Sequence, residues 1–576
     1  MTETSCEPAT PELVPILSDR WALGWRHVLV VSYFSLFFLY LNLLPLFHSD
    51  IWGHVHYGKW MLEHGQLIDE DPFMPLAAGM HSANNAWLAQ ILYAKVHELG
   101  GPYFLSNLFA VTGLVSYLIY FRAYYLISGR VMTALFGTIL VLFVGFTRHQ
   151  IIRPENFGVL FIASLFLMLV HVEPWRSRCK IGALPEDEDR SSVNLPPVSI
   201  PLWMWIITPV LFVLWANVHG SFAVGLIVLA CHAAGRMIDV LVSKRSLLAA
   251  ITDRGVWAWT ILTELTLVAT LINPYGVDLL IETATFGRNA NLRDIMEWYP
   301  LKLMSAEGIQ LMVSLILMFG LVRHSRQRFY AADVLMLLFF ALVTAPTIRM
   351  IGWYAPVFVF TMMPHISDLW NRCWGELPIT AEVSEKSILA AHSSSSNEFS
   401  DSKGSDSTDG LPAGQPASPL KFAGLLFCLL IPFCAFRISP TSEMVMGGKP
   451  RKIERVYSKN TPLGITKYLR ENPTDSIIFA PQWWGDWVAW DGPAGTKVFV
   501  TTHIHLVPTK VWRDHMRISL AQSNWDRTID RYNVRTLIID KDMQKELARI
   551  VRGNENWKIV YEDKVGLVAK RLHPPS

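Results

Sequence analysis

The chain has 576 residues, of which 51% are hydrophobic and 17% charged, and its net charge at pH 7 is +2. This balance is too apolar for a soluble protein of this length and indicates a protein that lies in a lipid bilayer. The nearly neutral charge gives no sign of nucleic-acid binding, so clusters of basic residues are interpreted as topology signals or as site residues.

Apolar stretches long enough to cross a bilayer, roughly 17 to 25 residues each, recur along the chain. They begin near His27, Tyr103, Val131, Phe157, Ile200, Ser221, Val256, Gly308, Ala331, Ile351 and Lys421. The sequence therefore predicts an α-helical polytopic membrane protein with about eleven transmembrane helices. Residues 1–26 are polar and carry no cleavable signal pattern, so the first stretch should act as an uncleaved anchor.

Basic residues fall in every second loop between these stretches. They are Arg122 and Arg130, then Arg176, Arg178 and Lys180, then Lys244, Arg245 and Arg254, then Arg323, Arg326 and Arg328. The positive-inside rule makes these loops and the amino terminus cytoplasmic. With an odd number of spans, the carboxyl terminus is expected outside the cytoplasm.

Composition predicts a membrane core at 27–375, which includes a first external loop at 48–102. The core is followed by a linker at 376–419 that is rich in Ser, Gly, Asp and Pro. This linker is predicted to be disordered and cytoplasmic. A last transmembrane helix at 420–438 precedes a small extracytoplasmic α/β domain at 450–576. In that domain, strands or a hairpin are predicted at 476–480, 497–500, 536–540 and 557–571, and helices at 462–472, 525–532 and 542–552.

The remaining polar residues cluster on the predicted external side. They are Asp50, Asp69 to Asp71, Arg153 with Glu155, Asn217 with His219, Asn273, Arg288 with Arg293, Glu297, and Arg349. Charged groups at the edge of a bilayer cost a few kcal/mol when unpaired and tend to mark pathways or sites. A shared polar cavity is the simplest interpretation of the set, although any single member could instead cap a helix or extend to the interface.

The segment that follows the first stretch predicts a helix lying in the membrane surface. Trp52, His56, Trp60 and His64 recur at helical spacing, and the segment 85–90 begins another apolar helix. The acidic run at 69–71 lies between the two helices. Closely spaced carboxylates raise one another's pKa or recruit a cation, and either effect would serve acid/base chemistry.

Several of these motifs together resemble uncharacterised bacterial relatives of the GT-C glycosyltransferases. The motifs are Asp50 after the first span, Trp52-Gly-His54 with Gly58, Asp69-x-Asp71-Pro-Phe, Arg153-Pro-Glu155, Trp215-Ala-Asn-Val-His219-Gly-Ser-Phe222, Asn273-Pro-Tyr-Gly276, Glu297-Trp298 and, near the end of the chain, Trp525, Tyr532 and 557–563. The resemblance covers most of the chain except the linker. At one position the chain departs from it, since Ile51 follows Asp50 where better-studied members often have Asp or Glu.

The resemblance implies a bacterial inner-membrane enzyme that moves a sugar, with inversion, from a polyprenyl-phosphate donor to a glycan, lipid or protein acceptor outside the cytoplasm. Asp50 and Asp71 would be catalytic, with Asp50 as the base that deprotonates the acceptor hydroxyl. Asp69 and Asp71 are the candidate ligands of a divalent cation, Mg or Mn. Arg153, His219, Arg349 and Arg293 would bind the donor phosphate. His54, Asp69, Glu155, Asn217, Asn273 and Glu297 would support these groups.

Other functions fit parts of the pattern. A lipid or sugar transporter or flippase would also need a polar cavity in the membrane, although no inverted repeat of the spans is evident. A non-catalytic envelope scaffold would make the carboxylates dispensable. The tryptophans at 483–490 could stack on sugar rings, or could lie at the membrane interface or in the core of the C-terminal domain.

Overall fold

The structure is a computed structural model that describes residues 23–81, 83–148, 150–172, 195–375, 422–448 and 451–572. The predicted linker at 376–419 and nearly all of the predicted N-terminal segment at 1–26 lie outside the described residues. The protein is mainly helical, with a small β-sheet near the carboxyl end.

The helices up to residue 375 are connected by loops and short 3₁₀ turns. In chain order they are α1 (Trp25–Leu43), α2 (Ile51–His64), α3 (Trp87–Ser128), α4 (Val131–Val144), α5 (Glu155–Val172), α6 (Leu202–Val218), α7 (Phe222–Lys244), α8 (Leu247–Ile251), α9 (Arg254–Ala269), α10 (Val277–Thr285), α11 (Ala306–His324), α12 (Ala331–Thr344) and α13 (Ile351–Trp374). The 3₁₀ turns are Pro75–Ala77, Phe286–Arg288, Ala290–Asp294, Met296–Trp298 and Ile348–Met350.

Each predicted apolar stretch coincides with a helix, the last of them with α14 (Ala423–Ile438). By length and composition α1, α3, α5, α7 and α11 can cross a membrane, and α4, α6, α12 and α14 are shorter apolar helices. Large apolar side chains on these helices face outwards, as shown by Ile316, Phe319 and Leu342, which are 68%, 74% and 69% exposed. An exposed apolar surface of this kind is what a lipid-facing helix presents.

The helix α3 has a break near its middle. Gly101 has a φ of +60°, a conformation that favours glycine, and Pro102 follows it. The two predictions of a helix beginning at 85–90 and of a span beginning near Tyr103 therefore describe the two parts of one interrupted helix. The first part lies beside α2, and the second part packs in the apolar core of the helical region.

The predicted helix after the first span is confirmed as α2, but protein covers two of its faces. A Cβ atom on Gly58 would lie 1.9 Å from the carbonyl oxygen of Gln90 in α3, and one on Gly53 would lie 2.3 Å from the carboxylate of Asp486 in the C-terminal domain. Trp52 is fully buried and contacts the rings of Trp487 and Trp490. The helix is therefore packed between the membrane core and the C-terminal domain.

The C-terminal domain is a four-stranded sheet with covering helices. Its strands are β1 (Ile478–Phe479), β2 (Thr536–Asp540), β3 (Trp557–Glu562) and β4 (Gly566–Arg571), in the order β1-β2-β4-β3, with β1 parallel to β2 and the other pairs antiparallel. The helices after α14 are α15 (Pro440–Val445), α16 (Ile453–Val456), α17 (Leu463–Glu471), α18 (Gln482–Asp491), α19 (Thr509–Ser519), α20 (Trp525–Arg531) and α21 (Lys545–Arg552), with a 3₁₀ turn at Ile504–Leu506.

The sequence predicted most of this domain but missed α16, α18 and α19. The predicted strand at 497–500 is an extended segment that forms a single bridge, between Val498 and Ile478, and is not a ladder. Two of the tryptophans in α18, Trp484 and Trp487, are 0% and 1% exposed, so their indoles fill the core and the junction with α2. Stacking on a sugar is therefore not available to these two side chains.

The close contact of α2 with α3 can be tested with Gly58→Ala. We expect the new methyl group to force the helices apart and to lower the free energy of unfolding by about 1–3 kcal/mol, since overpacking a filled contact costs that much. Gly320→Ala is the control, because a Cβ at this position in α11 meets no atom of the described residues within 4 Å and alanine favours a helix. Equal thermal unfolding midpoints for the two variants in detergent would contradict the close contact.

Candidate functional site

The most conspicuous polar feature is a network of three arginines and three carboxylates. Glu297 lies at its centre, and its carboxylate accepts hydrogen bonds from Arg153 at 2.7 Å, Arg148 at 3.0 Å and Arg349 at 3.2 Å. Two further carboxylates complete it. Glu155 lies 3.2 Å from Arg148 and 3.4 Å from Arg349, and Asp50 lies 2.8 Å from Nε of Arg153.

The network joins segments that are far apart in the chain. Asp50 immediately precedes α2. Arg148 and Arg153 lie in the turn between α4 and α5, and Glu155 is the first residue of α5. Glu297 and Arg349 lie in the 3₁₀ turns Met296–Trp298 and Ile348–Met350. The site therefore forms at the ends of the apolar helices, where their connecting loops meet the C-terminal domain.

All six side chains are largely buried, with exposed fractions between 10% and 22%. Three guanidinium groups and three carboxylates balance to zero net charge. Burial alone would raise the pKa of Glu297, but Arg349, Arg153 and Arg148 lower it well below its usual range. Burial opposes ionisation of Asp50 as well, and Arg153 outweighs it, so that the pKa of Asp50 is lowered. Both carboxylates are ionised at neutral pH.

Four histidines surround this network, namely His54 in α2, His219 between α6 and α7, and His503 and His505 in the C-terminal domain. The rings of His54 and His503 lie 5.3 Å apart, edge to face. Burial lowers the pKa of His219 to about 4 and that of His505 to about 3. Burial would lower the pKa of His503 too, but the nearby carboxylates of Asp486, Asp71 and Asp50 raise it above its ordinary value.

The structure brings together most of the charged residues that the sequence singled out. Asp50, Arg153, Glu155, Glu297 and Arg349 are members of the network itself. The predicted residues His54 and His219 lie beside the network. Burial lowers the pKa of both histidines. The nearby carboxylates oppose this effect in part, since Asp50 raises the pKa of His54 and Glu155 raises the pKa of His219.

The predicted acidic pair does not face a common point. Asp69 is exposed and its carboxylate lies 2.8 Å from the ring of His81. Asp71 is buried and accepts hydrogen bonds from the Tyr57 hydroxyl and from the backbone N–H groups of Phe73, at 2.7 Å, and Met74, at 2.9 Å. Its oxygens are thus engaged in holding the loop against α2. Among the described residues no group of three or more His, Cys, Asp or Glu side chains could hold a metal ion.

The other predicted residues lie outside the network. Arg293 is exposed on the turn Ala290–Asp294. Asn217 donates to the carbonyl oxygens of Val213 and Ile272, each at 2.8 Å, and so ties α6 to the loop after α9. Asn273 bonds to its own turn, where it accepts the N–H of Tyr275 at 2.7 Å. These two amides satisfy backbone groups of the loops that surround the site.

Sequence reasoning missed Arg148, Asp486 and the two C-terminal histidines. Arg148 follows the end of the apolar helix α4 by four residues and resembles an ordinary interfacial cation, although its position five residues before Arg153 places both arginines in one short turn. Nothing in the local pattern of His503 or Asp486 links them to a loop more than 400 residues earlier. Only the packing of α2 against the C-terminal domain shows that they share a site with Asp50.

Comparisons with known proteins give one kind of match. No protein-family model and no curated protein matches the sequence. The crystal structure of ArnT from Cupriavidus metallidurans in the apo state aligns with 95% of this chain and 97% of that one, at 13% identity and a TM-score of 0.49. The structure of the same protein bound to undecaprenyl phosphate aligns with 95% and 98%, at 12% identity and a TM-score of 0.47. At these values neither alignment transfers a residue role or a function to this chain.

The central role of Glu297 can be tested by Glu297→Gln, which leaves three buried arginines facing two carboxylates. We expect the free energy of unfolding to fall by about 3–5 kcal/mol, because breaking a buried ion pair leaves a charge without compensation. Glu555→Gln, at an exposed position, should leave the thermal midpoint unchanged.

The same variant predicts a change in pH dependence. Because the native pKa of Glu297 lies below that of the unfolded chain, about 4.3, unfolding takes up a proton and acid favours the unfolded state. The ionised Glu297 therefore stabilises the folded protein at pH values above the pKa that this group has in the unfolded chain. This stabilisation is lost as the pH falls towards the pKa of Glu297 in the folded protein. The thermal unfolding midpoint of the wild type should therefore fall more steeply on acidification than the midpoint of Glu297→Gln. Parallel plots of midpoint against pH for the two proteins would contradict the lowered pKa of Glu297.

Proposed function

We propose that the protein is an integral membrane glycosyltransferase of the GT-C type, which moves a sugar from a polyprenyl-phosphate donor to an acceptor hydroxyl. The observation that carries the proposal is the buried network around Glu297, because it gathers three arginines and an ionised aspartate at the ends of apolar helices. A lipid-linked phosphate has its tail in the bilayer and its charged group at this level. The motif resemblance described above supports the same class of enzyme.

The arginines suit a phosphate because a guanidinium group donates several hydrogen bonds in a planar fork. In the structure Arg148, Arg153 and Arg349 all contact Glu297, so one carboxylate is shared among three cations. The Nε of Arg148 is buried and makes no hydrogen bond within the described residues. An arriving phosphate oxygen can accept hydrogen bonds from these arginines while Glu297 stays paired, because three arginines share that one carboxylate.

Asp50 is suited to act as the base. Its carboxylate is ionised and makes no capping hydrogen bond to the described residues of α2, and its contact in the network is the ion pair with Arg153. When Arg153 turns towards the donor phosphate, the carboxylate becomes free to accept the proton of an acceptor hydroxyl. The acceptor oxygen then bonds to the anomeric carbon, the bond from that carbon to the phosphate oxygen breaks, and the electron pair leaves with the polyprenyl phosphate.

A single displacement of this kind inverts the configuration at the anomeric carbon, since the acceptor attacks opposite the leaving phosphate. We place the site on the extracytoplasmic face of a bacterial inner membrane, with the amino terminus in the cytoplasm and the C-terminal domain outside. A glycan, lipid or protein hydroxyl is the acceptor. Asp69, Asp71 and Arg293 take no part in the reaction proposed here, and a requirement for Mg or Mn is measured by including EDTA in the assay.

The function is tested with purified protein in nanodiscs, a panel of radiolabelled polyprenyl-phosphate sugars and envelope extract as acceptor. Asp50→Asn should lower the rate of sugar transfer by about 10²–10⁴-fold, the usual contribution of a general base. Because Arg153 keeps its contact with Glu297, the variant should stay folded, and its thermal midpoint should fall less than that of Glu297→Gln. Glu63→Gln is the matched control, because this exposed acid lies on α2 and, among the residues that the structure describes, pairs with Lys59 alone, at 3.8 Å.

Two outcomes would contradict the proposal. Equal transfer rates for Asp50→Asn and Glu63→Gln would remove Asp50 from the reaction. No transfer by the wild type from any donor, together with donor movement across proteoliposomes that Asp50→Asn leaves intact, would instead identify a flippase.

A further inference from the structure

The direction of the hydrogen bonds at His219 fixes which of its ring nitrogens carries the proton. The backbone N–H of Ser221 lies 3.1 Å from Nδ1 of His219. A backbone nitrogen only donates, so Nδ1 must accept and the proton of the neutral ring lies on Nε2. The Ser221 hydroxyl lies 2.8 Å from the same Nδ1. It accepts the indole N–H of Trp215 at 2.9 Å, and because Nδ1 is an acceptor, the hydroxyl proton is the one that points to the ring.

A chain of side-chain amides fixes His54 in the same way. It starts at the backbone N–H of Ala86, which donates to Oδ1 of Asn84 at 3.3 Å. Nδ2 of Asn84 then donates to Oε1 of Gln90 at 2.7 Å, so Nε2 of Gln90 faces Nδ1 of His54 at 3.2 Å. Because an amide NH₂ group only donates, Nδ1 of His54 accepts, and this ring too carries its proton on Nε2.

Both rings are neutral in the folded protein. Burial lowers the pKa of His54 well below its ordinary value, and electrostatic repulsion by His503 adds to the effect. Burial likewise lowers the pKa of His219, to about 4. Neither Nε2 makes a hydrogen bond to the residues that the structure describes, and both side chains keep partial exposure.

We infer that His54 and His219 present their Nε2–H groups as neutral hydrogen-bond donors to the oxygens of the donor phosphate, and that Asn84, Gln90 and Ser221 are positioning residues that keep them in this form. The inference rests on the proposed function. Each arginine of the network is already balanced by a carboxylate, so neutral N–H groups add donors without adding charge. As the glycosidic bond breaks, negative charge grows on the phosphate oxygen, and donors fixed in advance stabilise it.

The first test measures by NMR which ring nitrogen of each histidine carries the proton. In protein with ¹⁵N-labelled histidine, in lipid at pH 7, the signals of His54 and His219 are identified by their loss in His54→Gln and His219→Gln. Both should show a protonated Nε2 and an unprotonated Nδ1, and both should shift when polyprenyl phosphate is added. His515 is the control, because this buried histidine contacts the carbonyl oxygen of Ala480 at 3.2 Å and lies outside the network.

A protonated Nδ1 on either ring, or unchanged signals while a separate assay shows that polyprenyl phosphate binds, would overturn the inference. Failure of the wild type to bind any polyprenyl phosphate would overturn the proposed function instead.

The second test separates the hydrogen bond donated by His54 from the packing of its ring. The side-chain amide of glutamine places an N–H group near the position of Nε2, whereas asparagine and alanine do not. We expect His54→Gln to keep the transfer kcat within about tenfold of the wild type, and His54→Asn and His54→Ala to lower it by about 10²-fold, the usual effect of one lost oxyanion donor. The pH profile should keep its shape in His54→Gln. Equal losses in the three variants, or the disappearance of one limb of the profile, would contradict a neutral donor.

Discussion

Buried charges must be paired where water is scarce, and this requirement organises the site of the protein. Glu297 contacts three arginines that come from two different loops, and Glu155 and Asp50 balance the charge that Glu297 alone cannot. Removing the charge of any one member leaves the buried network with a net charge in a region of low dielectric. The loops at the ends of α1, α4 and α12 are therefore held together by the same contacts that provide donors for an anionic substrate.

The second determinant of the site is the position of α2 between two domains. Gly58 lets the helix approach α3, which places His54 against Gln90, and Gly53 lets Asp486 and His503 approach from the C-terminal domain. Backbone hydrogen bonds from Leu46 to Val456 and from Ser458 to Leu46, each 2.8 Å, fix the same junction. The C-terminal domain is thus part of the wall of the site, and its histidines contribute to the electrostatics around Asp50.

The apolar stretches, the helix after the first span and most of the C-terminal elements could be predicted from the sequence, because periodicity and composition are local properties. Five members of the network could also be predicted, since charged residues at the ends of apolar helices are costly and therefore conspicuous. The partners of each residue could not be predicted. Asp71 and Asn273 are residue types that are common in sites, but their side chains accept hydrogen bonds from backbone N–H groups of their own loops. His503, in contrast, becomes part of the site only through packing between domains.

The most direct measurement is an electron cryomicroscopy structure of the protein in nanodiscs with a polyprenyl phosphate bound. The account predicts that the phosphate lies against Arg153 and Arg349, within hydrogen-bond distance of Nε2 of both His54 and His219. It also predicts that the ion pair between Arg153 and Asp50 has opened to leave the carboxylate facing the acceptor side. A phosphate bound elsewhere, with all contacts of Glu297 and Asp50 unchanged, would show that the network is a structural support and not the catalytic centre.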